Sequence, residues 1–395
     1  VKTLTEQNEM RYLRGLYFLF AFSIMSWIPR FPEVKAILRL TNGEFGSLIS
    51  SGAIGSLVAL LTVGHIVHKF GAKIVLEISG IAIALSLVTF VHTDSVFIFF
   101  IANIISGAAI SGFHVSMTSQ AFHLQDRSRK FIITHLSGIW SSGALATAIL
   151  AGLLVDRVSI TVHITTLAVV SLLIILFIIL RMKVVLILPN SAPDNEYRVR
   201  DIFKDFKFDS LVSFGLICGI YLEFAIGDWS TIFMKEDIGI KSGLNTLPYI
   251  LFIVAMIIGR LAIHKLDPYF TIDKLAKMGA LLAGTSFFIT ICLSMYLREN
   301  HKVATLIIMA IGFTIAGLGS SFLGPTFMNA ANARSSAPSS VIVGQLGFIS
   351  NLLALVMRWI VAWTAQFTSL GIALLIPALM LFAVPYFSKA LKNHN

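Results

Sequence analysis

Two carboxylates stand in a stretch that otherwise reads as a membrane span. Phe214 to Lys235 runs FGLICGIYLEFAIGDWSTIFMK and sets Glu223 and Asp228 among apolar and small residues. A charged side chain at the bilayer centre costs about 2.5 kcal/mol or more. A helix that only crosses the membrane has no reason to carry one. The chemistry open to such groups is hydrogen bonding to a polar solute, or uptake and release of a proton. Gly219, Glu223, Gly227 and Ser230 fall on one helix face by their i, i+4, i+8, i+11 spacing. A small-residue stripe also marks close helix packing, so a structural polar contact is the competing reading for Glu223. Asp228 lies five residues on, about 7.5 Å along the axis and rotated about 140°. It shares a face with Tyr221 instead.

Other polar residues fall inside apolar runs. Arg30 follows Pro29 in the outer third of the first run. If the two halves of the chain are related, Arg30 and Asp228 come to similar depth, and an ion pair between them would close the outer end of a cavity. The alternative is that Arg30 snorkels to lipid headgroups. The fourth run carries Gly107, Ser111, His114 and Thr118 at i, i+4, i+7, i+11, a polar stripe suited to line a cavity. The fifth has His135 near its start, then Trp140 and Ser142. Trp27, Trp140, Tyr221 and Trp229 offer flat apolar surfaces for the C–H face of a sugar ring, with interfacial anchoring as the rival for any Trp. Gly324-Pro325 is expected to break or kink the tenth run. The eleventh adds Gln345 and Asn351, and its Arg358 reads as a snorkelling residue.

The elements that position these groups follow from composition. Of 395 residues, 56% are hydrophobic and only 13% charged, with 31 Phe; the mean hydropathy is +0.86. Soluble domains carry about 25% charged residues, so this is an all-α polytopic membrane protein whose surroundings are lipid. A crossing needs about 20 apolar residues, and twelve such runs lie between residues 12 and 388. The net charge of +10 sits in the loops, which points to topology rather than to a nucleic-acid partner. With the N-terminus cytoplasmic, 21 of the 30 Lys and Arg fall on the inner side and 8 on the outer, with Arg358 inside a run. That bias sets both termini in the cytoplasm, in a cell's inner membrane. The N-terminal VKTLTEQNEMRYLRG has no cleavage site, so the first run itself serves as the insertion signal.

The longest polar segment separates six runs from six: an N-terminal bundle at 1–181, a cytoplasmic linker at 182–209, and a C-terminal bundle at 210–395. Within the linker, IFKDFKF reads either as an amphipathic helix on the membrane face or as solvated chain. Cys218 and Cys292 lie inside runs and read as free thiols. There is no G-x-x-x-x-G-K-[ST] phosphate loop, no metal-type cluster and no nucleophile arrangement. ATP-driven transport, membrane enzymology and a bound cofactor are therefore not expected. The two halves also echo one another. Trp27 and Trp229 are about 200 positions apart, and each precedes a Gly, Gly43 or Gly243, that opens the next run. Such duplication is common in secondary transporters, whose sites lie near the midplane.

After the second run the chain reads G-H-I-V-H-K-F-G-A-K, from Gly64 to Lys73. This resembles the signature of the major facilitator superfamily, G-x-L-A-D-R-x-G-R-K. Gly64, Gly71 and Lys73 match, Lys69 is a like-charge replacement, and His68 stands where the family has Asp. In the family that Asp pairs across to the other half and stabilises the outward-facing form, so the resemblance assigns these five residues to a conformational gate that departs from the pattern at His68. SWIPRFP at 26–32, EFAIGDWS at 223–230 and TSLGIALL at 368–375 are similar to a bacterial branch of fucose-permease-like and related sugar carriers. The resemblance implies a monomeric, rocking two-bundle fold. It also implies a secondary transporter for a small polar solute, a sugar or sugar derivative, driven by protons. A sensor on the same fold and an exporter of metabolites or drugs are the alternatives. GIWSSGALA lacks the proline of the drug-antiporter motif, which counts against drug export.

Overall fold

A computed structural model describes residues 2–128, 132–182, 209–240, 243–266, 269–298, 301–334 and 339–392. The expected linker, with its IFKDFKF segment, falls almost wholly outside the described residues. The described chain is helical throughout. In hydrocarbon every backbone N–H and C=O must be bonded within the protein, and an α-helix does this locally. Eleven helical stretches among the described residues are long and apolar enough to cross a membrane. The N-terminal helix α1 (Lys2–Ile24) stands apart from that count because Glu9, Arg11 and Arg14 occupy its first half. With α1 the chain has the twelve crossings that its sequence implies.

The second crossing is made of two helices, α2 (Asn42–Ser50) and α3 (Gly52–Phe70). Then come α4 (Ala72–His92), α5 (Val96–Ser128), α6 (Ile132–Leu154) and α7 (Ile160–Arg181). The later half has α8 (Ser210–Ile232), α9 (Leu247–Leu266) and α10 (Ile272–Leu297). Its tenth crossing is again divided, into α11 (Lys302–Ser320) and α12 (Leu323–Ala333), followed by α13 (Ser339–Phe367) and α14 (Leu375–Phe387). The break before Pro325 is the one its sequence predicts. Phe113, Phe287 and Phe313 are fully buried while Leu85, Phe97 and Leu173 are exposed. Helices apolar on all sides suit a bundle whose outer surface meets lipid.

The chain forms two compact units, Val1–Leu38 with Leu48–Asp201, and Arg39–Ser47 with Ile202–Asn395. In the first, α3 and α4 both pack on α5, α1 packs on α6 and α7, and α4 packs on α7. In the second, α9 and α10 both pack on α11, α8 packs on α12, α13 and α14, and α10 packs on α14. The neighbour scheme is the same, crossing for crossing. Arg39–Ser47 is the exception to a division in chain order.

Between α3 and α4 the chain reverses on a single residue. Gly71 has φ 84° and ψ 154°, and its N–H donates to the Val67 carbonyl at 2.8 Å. That backbone region is open essentially to Gly alone. Of the residues assigned to the gate, the side chains of His68 and Lys69, and Gly64, lie outside what is described. Lys73 stands 3.9 Å from Glu77 on α4. Replacing Gly71 with Ala is expected to cost about 1–3 kcal/mol of strain. A lowered melting temperature of the purified protein checks it.

Candidate functional site

Among the described residues the second unit holds three carboxylate–guanidinium pairs: Asp209 with Arg334 at the start of α8, at 2.6 Å, and two whose carboxylates, Glu223 and Asp228, lie within α8. The helix starts cleanly because the Asp209 carboxylate accepts the Val212 N–H at 3.3 Å, the side-chain cap that helix N-termini need. Fourteen residues along, Glu223 Oε2 lies 3.5 Å from Arg260 Nη2 of α9. Both side chains are part exposed, 41% and 32%. Asp228 makes the tighter pair: its Oδ2 is 2.8 Å from Arg358 Nε of α13, with the two exposed by 8% and 26%. The 2.8 Å approach is an ionic contact off the line of the N–H, while Arg358 Nη2 donates to Asp228 Oδ1 at 3.4 Å. The Arg358 guanidinium also covers the Phe224 ring at 5.1 Å, an attraction to the ring face.

Arg260 is held in place by a missing hydrogen-bond donor elsewhere. In an α-helix the Ser321 carbonyl would accept from the N–H of residue 325. That residue is Pro and has no N–H. The helix therefore breaks between α11 and α12, and Arg260 Nε donates to the free Ser321 carbonyl at 3.0 Å. One donor is fixed to backbone, and the remaining fork faces Glu223.

Two tyrosines complete the cluster. Tyr221 is fully buried and feels the charges of Asp228 and Arg358. Tyr249 of α9 is buried and lies within electrostatic reach of both carboxylates. The Tyr221 hydroxyl and the Trp229 indole nitrogen are buried without a hydrogen-bond partner among the described residues. Buried polar atoms without a partner are uncommon.

Two expectations are overturned. Arg30 neither pairs with Asp228 nor snorkels. It is 1% exposed and grips Glu33 with both ends of its fork, Nε to Oε1 at 2.6 Å and Nη2 to Oε2 at 2.8 Å. The same guanidinium reaches His163 Nδ1 at 3.2 Å and the Val158 carbonyl at 2.9 Å, fastening the end of the first crossing to the start of α7. Arg358, read as a headgroup-seeking residue, is the partner that Asp228 actually has. Sequence reasoning missed Arg260 as well. The signal was present: a cation within an apolar run calls for an anion partner.

The other candidates are spread over both units. Trp27 sits in an aromatic cluster with Phe31, Phe90 and Phe99, at 4.6, 4.5 and 5.9 Å between centroids. On α5, Thr118 accepts from Tyr17 at 3.4 Å, His114 is exposed beside Phe20, and Ser111 is half-buried. Trp140 is half-buried on α6. On α13, Gln345 is buried, and Asn351 donates to the Gly347 carbonyl of its own helix at 2.8 Å. Cys218 and Cys292 are free.

A sequence model described as Major Facilitator Superfamily matches residues 15–357. An uncharacterized MFS-type transporter of Yersinia pestis is 22% identical over 379 residues, covering 95% of this chain and 94% of that protein. Among solved structures, a mutant of the nucleoside transporter NupG superposes with a TM-score of 0.78 at 13% identity, over 98% of this chain and 100% of the other. A D-xylose-proton symporter superposes at 0.70 and 16%, over 98% and 97%. At these identities the likeness is one of fold.

Removing one partner of a buried pair leaves an uncompensated charge, at a cost of about 3–5 kcal/mol. Arg358 keeps 26% exposure, so Asp228→Ala and Arg358→Ala are each expected near the lower end of that range. The double substitution is expected to cost well under their sum. Unfolding of the four proteins in mixed micelles measures the coupling.

Proposed function

Because the chain belongs to the Major Facilitator Superfamily, we propose that it is a secondary transporter carrying a small polar solute across the membrane in exchange for the energy of a proton gradient. The observation that supports this is the pair of ion pairs on α8. Two carboxylates and two guanidiniums inside one bundle form a polar centre with no role in simply crossing lipid. Glu223 and Arg260, loosely paired at 3.5 Å and part exposed, are the groups that a solute and a proton can reach. Asp228 and Arg358 form the tighter, more buried partner pair. The unpaired Tyr221 hydroxyl and Trp229 N–H are donors that a polyhydroxylated solute satisfies.

The solute class proposed is a sugar or sugar derivative. The aromatic surfaces of Tyr221 and Trp229 beside carboxylates suit it, as does the resemblance to fucose-permease-like carriers. The fold likeness to nucleoside and xylose carriers agrees with a solute bearing a sugar ring. Ser111, His114, Thr118 and Trp140 in the first unit, and Gln345 and Asn351 in the second, are proposed as further solute-binding residues, with Trp27 and Arg30 supporting those of the first unit. Gly64, His68, Lys69, Gly71 and Lys73 are proposed as the gate. The basic bias of one set of loops supports both termini in the cytoplasm and an inner membrane, and a monomer is proposed from the family resemblance.

The test is uptake into proteoliposomes under an imposed pH gradient, screened over sugars, polyols and nucleosides. With a solute in hand, Glu223→Gln is expected to abolish uphill accumulation while sparing exchange down a gradient. Uphill uptake at the unsubstituted rate in Glu223→Gln would remove Glu223 from the coupling role.

A further inference from the structure

The stripe of small residues on α8 does two different things along its length. A methyl on Gly215 would strike the Phe327 ring, and one on Gly219 would stand 2.9 Å from Leu323. Those two glycines let α8 pack closely on α12. Gly227 lies on the same stripe, about two turns beyond Gly219, and a methyl there would meet no described atom within 4 Å. Glycine inside a helix costs stability relative to alanine, so a helical glycine that packs against nothing has another use. Letting a ligand approach the backbone closely is one.

The space left at Gly227 has a definite position. A helical side chain covers the turn N-terminal to its own Cα. The missing side chain of Gly227 therefore leaves a vacancy over Glu223 and Phe224, its i−4 and i−3 neighbours. With Ile220, these residues form a part-exposed face of α8, while Tyr221, Leu222, Ala225, Ile226 and Asp228 are buried. Phe224 is the aromatic of that face, and Tyr221 and Trp229 stand behind it at 0% and 1% exposure. The Arg358 guanidinium lies over the Phe224 ring at 5.1 Å. Its attraction to the ring sets the ring's orientation before a solute arrives, which lowers the cost of binding. Beside the ring, the Glu223 carboxylate is 41% exposed and accepts hydrogen bonds from hydroxyls. A flat apolar ring, a carboxylate acceptor next to it and a vacancy over both are what a pyranose needs: its C–H face meets the ring and its hydroxyl edge meets the acid.

On the reading of this site as that of a solute carrier, we propose that Phe224 is the stacking surface for a sugar ring, that Gly227 leaves the space the ring occupies, and that Glu223 takes a hydroxyl at its edge. The residue at 227 then limits the size of ring admitted. The solute shares the Phe224 side chain with the guanidinium that pairs with Asp228, so binding at the looser pair is linked to the tighter one through a single aromatic.

Cysteine labelling tests this without knowledge of the transported sugar. In the full chain with Cys218→Ala and Cys292→Ala, held in nanodiscs, Gly227→Cys supplies the single thiol. Two probes are compared by mass spectrometry: methyl methanethiosulfonate, and a methanethiosulfonate carrying a β-D-glucosyl group. Both are expected to react. The ratio of glucosyl to methyl rates is expected to fall about fivefold when the ring is removed by Phe224→Leu or Phe224→Met, and to hold in Phe224→Tyr. Gly347→Cys on α13 is the control. A methyl at Gly347 also meets no described atom within 4 Å, and the residue lies about 16 Å along the helix axis from Arg358. There the ratio should ignore Phe224→Leu. A Gly227→Cys thiol that the methyl probe does not reach, or a melting temperature lowered by that substitution, would overturn the open space. A ratio indifferent to loss of the ring, or one that falls equally at Gly347→Cys, would overturn the stacking role. The labelling needs no pH gradient. Its failure removes Phe224 and Gly227 and leaves the coupling role of Glu223 to the uptake assay, whereas failure of uphill uptake leaves the labelling result standing.

Discussion

A backbone carbonyl that loses its helical partner inside hydrocarbon has no water to turn to. Among the described residues, helices are interrupted at Ser51 and before Pro325, and at each a side chain from a neighbouring helix adds a donor. Asn103 of α5 donates to Leu48 and Ile49 at the break in the second crossing, where the Leu48 carbonyl also accepts from the Ser51 N–H and hydroxyl. Arg260 serves Ser321 at the break before Pro325. The two breaks differ in cause. Ser51 tightens a turn that any residue could in principle continue, whereas Pro325 removes a donor outright. They also differ in what the substitute donor does next. Asn103 is spent on two carbonyls and the Ser51 hydroxyl of one turn, while Arg260 gives one N–H to backbone and keeps the rest of its fork for Glu223. A proline in one helix thus fixes the orientation of a cation in another, and through it the setting of a carboxylate in a third.

The charged groups of the two units show two ways of keeping ions in a membrane protein. Arg30 is fully enclosed, and Glu33, His163 and Val158 satisfy its donors at short range. Such an arrangement fastens one helix end to another and gains little by changing. The Glu223–Arg260 and Asp228–Arg358 pairs are less complete. One is long and part exposed, and the other is close but poorly aligned. An ion pair that is not fully satisfied in one arrangement can be rearranged at modest cost, which is what a carrier that must bind and release requires.

Much of the architecture was legible because lipid imposes it. Apolar run lengths gave the crossings, the echo between Trp27 and Trp229 pointed to related halves, and Gly324-Pro325 announced the broken tenth crossing. Glu223 and Asp228 were conspicuous because carboxylates in apolar runs are rare. Their partners were not, for a definite reason. Sequence periodicity relates residues on one helix, whereas Arg260 and Arg358 reach α8 from α9 and α13, and nothing in the spacing says which cation meets which anion. The supposed symmetry between Arg30 and Asp228 was a guess about such a meeting, and nearer partners defeated it. The break at Ser51 carried almost no signal either. Serine is tolerated in helices, and the residue that matters there is Asn103, on a different crossing.

The two pairs on α8 also have an electrical meaning. With both carboxylates ionised, the four groups sum to zero. One added proton leaves a guanidinium without its counter-ion, and the centre then carries a single positive charge. Moving one elementary charge through the membrane potential is worth about 2.3 kcal/mol per 100 mV. A cycle that shuttles the centre between protonated and unprotonated forms therefore has one leg that the potential drives and one leg that it ignores. Under the proposed proton coupling, two balanced pairs, rather than a lone carboxylate, would place the voltage-sensitive leg on the protonated carrier. A lone carboxylate would place it on the empty one.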